Sequence, residues 1–321
     1  MRGLSGEFLM HDSLAFVFPG QGSQSLGMLA DLATAHSVVQ DAFAEASDAI
    51  GMDLWALSQG GPQEQLDRTE FTQPALLAAG VAVWRAWLAA GGSRPGVLAG
   101  HSLGEYTALV AAEALSLGEA TRLVHLRGQL MQSATPAGVG AMAAVLGAEE
   151  SLLREVCVEA AQGQVLVPAN FNSPGQIVIG GHAEAIDRAI ALFAERGIRK
   201  AIKLAVSVPS HTPLMQDAAE RLKVSMADVT WHAPAIAVVQ NVDARVHAGV
   251  ESIGEALVQQ LYQPVQWTAC VEALVARGVS RVAECGPGKV LSGLVKRIDK
   301  GVDARALGAA ADFTAALEAW T

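Results

Sequence analysis

The chain has little cysteine and little charge, and each shortage removes a class of function. Its three cysteines, Cys157, Cys270 and Cys285, lie far apart with no C-x-x-C spacing. That argues against a disulfide framework and a thiolate zinc site, and fits a reducing compartment. None of the eight histidines stands in an H-E-x-x-H arrangement, so the spacing gives no support to a metal enzyme. Charged residues are 17% of the 321, with a formal net charge of −10. No basic stripe exists to neutralise phosphates, which argues against nucleic acid as a partner. Apolar runs long enough to cross a bilayer are missing too, and Glu7, His11 and Asp12 make the first twelve residues a poor signal peptide. The expectation is a cytoplasmic protein with no membrane partner.

What is plentiful is apolar side chain and glycine. A 51% hydrophobic content with 32 glycines describes a well-filled protein of one large or two modest domains. The glycines matter most at Gly100-His101-Ser102-Leu103-Gly104, which follows the apolar run Val97-Leu98-Ala99 and precedes the helix-forming run from Tyr106 to Ala112. This pattern reads as strand, sharp turn and helix with Ser102 at the apex, the nucleophile-elbow arrangement. Its tightness explains the glycines, because neighbouring side chains would collide with the strand and helix being joined. The same turn aims the Leu103 N–H at any oxygen formed by attack of Ser102. An ordinary turn in a glycine-rich chain is the competing reading.

Two other glycine-rich stretches fail as nucleotide motifs. The strand Leu14–Phe18 runs into Pro19-Gly20-Gln21-Gly22-Ser23-Gln24, but Ser25 stands where a dinucleotide fingerprint needs its third glycine. Gly288-Lys289-Val290 lacks the hydroxyl residue and the upstream glycine of a phosphate loop.

Helices are predicted over 37–50 and over 74–90, the second opened by Thr72-Gln73-Pro74, and another from the capping signature Ser116-Leu117-Gly118-Glu119 to about Ala134. On this last helix Ala120, Leu123, Val124, Leu130, Met131 and Ala134 share one face, with Arg122, His125 and Gln129 opposite. Arg127 falls inside the apolar stripe. A guanidinium cannot shed its proton to escape burial, so it needs acceptors. These are an internal carboxylate, solvent reached by snorkelling, or a substrate carboxylate.

From 140 to 206 the predicted order is strand, helix, strand, strand, helix, strand, a βαββαβ unit of ferredoxin-like type. Its middle strands are joined by the polar linker Asn170-Phe171-Asn172-Ser173-Pro174-Gly175. Beyond the last strand, Ala201–Val206, comes Ser207-Val208-Pro209-Ser210-His211-Thr212-Pro213, whose prolines would stiffen His211. A strand over Ala235–Val239 ends in Gln240-Asn241, helices at 252–261 and 267–277 follow, and Arg281–Glu284 leads to a helix near Lys289. Ser102 and His211 supply a nucleophile and a base, while no third carboxylate in the usual hydrolase order is evident.

Six blocks now stand in order: Phe18 to Gln24, Gly100 to Glu105, Arg127-Gly128, Asn170 to Gln176, Pro209 to His211, and Gly286-Pro287-Gly288-Lys289. Together they closely resemble the bacterial malonyl-CoA:acyl carrier protein transacylase family, from about Ser13 to the C-terminal region. The resemblance implies an α/β fold: a large α/β-hydrolase-like domain with a parallel sheet over 13–137 and 207–321, an inserted ferredoxin-like domain over 138–206, and an N-terminal extension over 1–12. It implies Ser102 as nucleophile and His211 as base, with the backbone N–H groups of Gln21 and Leu103 as the oxyanion hole. Arg127 would clamp the malonyl carboxylate, and the main-chain carbonyl of Gln260 would orient the histidine in place of a triad acid. Asn170, Asn172 and Gln176 become contacts for CoA or pantetheine.

No cofactor is implied, the CoA thioester being a substrate, and a monomer is expected. Acyl carrier proteins are acidic, so Lys200, Lys203 and Lys289 become docking candidates, with Arg199, Lys296, Arg297 and Lys300 beside them in the sequence. Leu103 fits malonyl-selective members, whereas Ser210 stands where related polyketide acyltransferases often carry an aromatic. Competing readings are an acyltransferase of a polyketide or other secondary pathway, and a serine thioesterase, which needs no buried Arg127.

Overall fold

Leu14-Ala15-Phe16-Val17-Phe18 is an apolar run buried on both faces, and it forms the middle of the larger sheet. The computed structural model describes residues 10–136, 138–206 and 208–320. Among them nine strands occur: β1 (Met10–Phe18), β2 (Arg94–Gly100), β3 (Gly140–Leu146), β4 (Leu166–Ser173), β5 (Gln176–His182), β6 (Lys200–Lys203), β7 (Ala237–Val239), β8 (Arg281–Glu284) and β9 (Asp303–Ala306).

Five of these make a parallel sheet in the order β7-β2-β1-β8-β9. Leu14, Phe16 and Phe18 turn toward one apolar layer with Leu98, Val238 and Ala283; Ala15 and Val17 turn toward the other with Val97, Ala99 and Val282. Phe18 lies opposite Gly100, Val17 opposite Glu284, and Ala99 opposite Val239. The carboxyl ends of four strands therefore open on one edge, where parallel sheets collect their ligands.

The remaining four strands form an antiparallel sheet in the order β4-β5-β3-β6, with a core of its own that includes Val145, Leu153, Phe171, Ile179, Ile186 and Phe193. It is fastened to the rest of the chain through β4: Phe171 N donates to Val265 O and Val265 N to Ala169 O, both at 2.9 Å. Asn170 and Asn172 project to the face opposite Phe171, as the two-residue period of a strand requires. That is the face toward the cleft between the sheets.

Several boundaries differ from those the periodicity predicts. The first strand begins at Met10 rather than Leu14, with Met10 and His11 pairing Arg94 and Pro95 before a register shift. Residues 10–12 of the expected extension are thus strand; residues 1–9, 137, 207 and 321 of the expected segments lie outside the described residues.

The helix predicted to open at Pro74 runs instead over Thr69–Ala89. Pro74 lacks the N–H that would bond the Glu70 carbonyl. His125 takes up that carbonyl through Nδ1 at 2.8 Å, so His125 is half-buried against the neighbouring helix and not on a solvated face. The linker expected at Asn170–Gly175 is strand as far as Ser173, because its backbone pairs with β5 and with Val265. Finally, β6 stops at Lys203 in the antiparallel sheet, so His211 does not sit at a strand end.

Candidate active site

Ser102 has φ 53° and ψ −108° at the junction of β2 with the helix Leu103–Ala111. Such a backbone costs a residue with a side chain about 1–3 kcal/mol and persists only when its surroundings hold it. Asn241, just past β7, holds three points: its Oδ1 accepts Ser102 N at 2.7 Å, its Nδ2 donates to Gly100 O at 2.6 Å, and its own N donates to Glu105 Oε2 at 2.8 Å. Gln260 Nε2 adds a bond to Ser102 O at 3.0 Å. The flanking glycines are obligatory, since a Cβ on Gly100 would lie 1.9 Å from Gly104 C, and one on Gly104 would lie 1.9 Å from Phe18 O.

His211 reaches this turn from a loop, with φ 61° and its N–H donated to Leu261 O at 2.9 Å. The C-terminal end of the helix Val250–Tyr262 fixes it. Its Nδ1 donates to Gln260 O at 2.6 Å, because a carbonyl can only accept. The lone pair is therefore on Nε2. Burial, then the Arg127 charge and His101, push its pKa down to about 3 against the pull of the Gln260 carbonyl, which keeps the ring neutral. Burial also lowers the pKa of His101, whose Nε2 donates to Asn172 Oδ1 at 2.8 Å.

Arg127 is fully buried, and among the described residues it has no salt bridge. Its donors meet neutral oxygens: Nη1 to Gln73 Oε1 at 2.7 Å, Nη2 to Gln260 Oε1 at 2.9 Å and to Ser102 Oγ at 3.2 Å. Nε has no partner among the described residues, and the guanidinium stands 5.5 Å from the Tyr106 ring centroid. Of the three outlets for this cation, burial removes snorkelling, and among the described residues no carboxylate bonds it. The nearby acid, Glu105, accepts from Asn241 N and from Gln260 Nε2 at 3.0 Å, while its Oε1 is unbonded among the described residues. Burial raises its pKa to about 7, overriding the lowering by its donors and by Arg127.

Ser102, His211, His101 and Gln21 line a cavity of about 300 Å³ between the two sheets, and Asn170, Asn172 and Gln176 line it from the smaller one. Arg127, Leu103 and Gln260 stand behind its wall, with Arg127 reaching it through Ser102 Oγ. The amide nitrogens of Gln21 and Leu103 donate no hydrogen bond among the described residues. Met142, Val178, Leu291 and Leu294 give the opposite wall its apolar surface. The helix carrying Leu291 and Leu294 is capped by buried Glu284, which accepts Leu291 N and Ser292 N at 3.0 and 2.8 Å. Among the described residues no group of three His, Cys, Asp or Glu could hold a metal ion.

Asn241, Glu105, Gln73 and Thr69, and the second role of Gln260 through its side chain, leave little mark in the sequence. Their one local signal is polarity in apolar company: an acid inside a helix that is otherwise buried, and a polar pair ending a buried strand.

The acyl transferase domain model matches residues 15–310, which takes in the smaller sheet, the cleft, and the larger sheet apart from the first residues of β1. The chain belongs to the malonyl CoA-acyl carrier protein transacylase family. It is 53% identical over 304 residues to the malonyl CoA-acyl carrier protein transacylase of Escherichia coli strain K12, covering 95% of this chain and 98% of that one. The crystal structure of the malonyl-CoA:acyl carrier protein transacylase from Xanthomonas oryzae pv. oryzae matches with TM-score 0.97 at 69% identity, over 98% of this chain and 100% of that one. A malonyl-transacylase solved in complex with its type II PKS acyl-carrier protein matches with TM-score 0.94 at 52% identity, over 96% and 99%.

Proposed function

We propose that this protein moves a malonyl group from malonyl-CoA to the phosphopantetheine thiol of acyl carrier protein through a malonyl-Ser102 ester, supplying fatty acid synthesis. Ser102 Oγ attacks the thioester carbonyl while His211 Nε2 takes its proton. The oxyanion forms against the Gln21 and Leu103 N–H groups, the C–S bond breaks, and His211 returns the proton to the departing CoA sulfur. The carrier thiol then repeats these steps in reverse order. Arg127 holds the free carboxylate throughout, replacing neutral amide partners with a charge-assisted pair.

The observation that carries this reading is the buried guanidinium beside Ser102, whose hydrogen bonds among the described residues all go to neutral oxygens. A thioesterase would have no use for it. Asn170, Asn172 and Gln176 are assigned to the pantetheine arm, and the acidic carrier is assigned to the basic surface that includes Lys200, Lys203 and Lys289. Lys203 and Lys289 already pair with Asp187 and Asp312 at 2.7 and 2.8 Å. The smaller sheet, with its order β4-β5-β3-β6, supports a ferredoxin-like domain over 138–206 inserted in an α/β-hydrolase-like domain over 13–137 and 207–321. Three buried free cysteines fit a cytoplasmic setting. Intact-mass analysis after mixing with malonyl-CoA should show one malonyl adduct that Ser102→Ala lacks; an adduct in the variant would remove Ser102 from this role.

A further inference from the structure

Arg127 also begins a chain of hydrogen bonds that leads away from Ser102. Nη1 donates to Gln73 Oε1 at 2.7 Å, Gln73 Nε2 donates to Thr69 Oγ1 at 2.9 Å, and Thr69 Oγ1 donates to Gln21 Oε1 at 2.8 Å. Every link points the same way, outward from the cation, so each donor is polarised by the one before it. Gln73 and Thr69 are buried, whereas Gln21 belongs to the exposed loop after β1.

That loop is anchored where Gly20 packs closely against His101 and Pro19 against Gly286, and side-chain hydrogen bonds supply further ties. Among the described residues its side chains tie it to the rest of the chain at Gln21–Thr69 and at Gln24–Asp67, where Gln24 Nε2 donates at 2.8 Å on the surface. The less exposed of the two is the one on the residue assigned to the oxyanion. The other end of the relay is set by a close helix crossing: a Cβ on Gly128, next to Arg127, would lie 2.5 Å from Glu70 Cα and 2.7 Å from Thr69 O. The bare glycine lets the start of the helix Thr69–Ala89 lie against Arg127.

We propose that Thr69 and Gln73 are positioning residues that hold the Gln21 loop at a set distance from Arg127, and so match the spacing of clamp and oxyanion donor to the short malonyl chain. The proposal rests on the roles assigned above to Arg127 and Gln21. Malonyl is held at both ends, by its carboxylate and by its thioester oxygen, so its reaction depends on the distance between the two holders. Acetyl is held at one end only. A loosened spacing therefore lowers turnover for malonyl far more than for acetyl, and does so without weakening the grip of Arg127 on the carboxylate.

The test is single-turnover loading of malonyl and acetyl groups from their CoA thioesters onto Thr69→Val, Thr69→Ser, Gln73→Leu and the Thr69→Val/Gln73→Leu double variant. Thr69→Val should lower the saturating malonyl rate about tenfold with the half-saturating concentration within about twofold of the parent, as for a small misplacement of a reacting group. Acetyl loading should fall much less, and Thr69→Ser should recover the malonyl rate. If the relay acts as one unit, the double variant should be no slower than Gln73→Leu alone.

An unchanged malonyl rate in Thr69→Val, equal losses for both acyl groups, or additive losses in the double variant would each overturn the proposal. Thr69→Ala replaces Thr69→Val if the valine variant does not fold. Ser102→Ala and Arg127→Ala measured alongside separate the two levels: if they behave as assigned while Thr69→Val is silent, the relay alone is wrong. If Ser102→Ala still loads, the underlying reading falls first and the relay with it.

Discussion

His211 Nδ1 donates to the main-chain oxygen of Gln260 at 2.6 Å, so a carbonyl and not a carboxylate holds the ring. The carbonyl orients the ring and fixes its tautomer but adds no full negative charge. The imidazolium thus gains less support than beside an aspartate. Burial and the Arg127 charge then dominate, leaving the ring neutral with its lone pair on Nε2.

The acid limb of the malonyl loading rate should consequently lie well below the usual histidine pKa of about 6.5. A pH profile of kcat/KM for the malonyl-CoA half-reaction checks this. An inflection at pH 6 to 7 that vanishes in the His211→Gln variant would show instead that the ring charges readily.

Arg127→Ala should remove the preference for a carboxylate-bearing acyl group. An acyl group that leaves a buried guanidinium unpaired forfeits about 1.5–3 kcal/mol, roughly ten- to a hundredfold. Malonyl loading should therefore drop by at least that factor while acetyl loading changes little. Equal losses for both would mean that Arg127 only supports the fold.

Glu105 gives a stability test with a definite sign. Its pKa is raised from 4.5 to about 7, so between those values the folded chain holds a proton that the unfolded chain has released. Its contribution is present in full below pH 4.5 and is lost as pH rises through 7, by an amount on the order of 1–3 kcal/mol. Glu105→Gln removes that loss, and urea unfolding should show the variant gaining stability relative to the parent from pH 5 to pH 8. A constant difference would contradict the assignment.

Two glycines make a matched pair. Gly104→Ala places a Cβ 1.9 Å from Phe18 O, whereas at Gly118 the nearest atom is 3.8 Å away. The first should cost about 1–3 kcal/mol or more and abolish loading. Gly118→Ala, in the helix Leu117–Ser133, should raise thermal stability slightly, by about 0.5–1 kcal/mol. Thermal unfolding of both variants settles the comparison.

Lys200 is exposed and has no ion pair among the described residues, unlike Lys203 and Lys289. Lys200→Glu should raise KM for acyl carrier protein by about three- to tenfold at low salt, an effect that added salt shrinks. Loading from malonyl-CoA should be unaffected. A loss shared by both half-reactions would place the charge effect elsewhere.

What the sequence determined by itself is what local physics writes. The elbow shows because its glycines have no alternative, and the two sheets show because strand and helix periods alternate in a set order. Arg127 shows because a cation in an apolar stripe is conspicuous. Which oxygens surround that cation is a different kind of fact. Gln73 lies 54 residues from Arg127, Gln260 lies 133 away, and Asn241 reaches Gly100 across 141. Neutral amides also serve equally well on a surface. The relay to Gln21, the missing carboxylate partner and the half-burial of His125 arise from helix crossings and strand ends meeting. Only the packed chain decides which neutral groups are driven together out of water, because each must find a partner once buried.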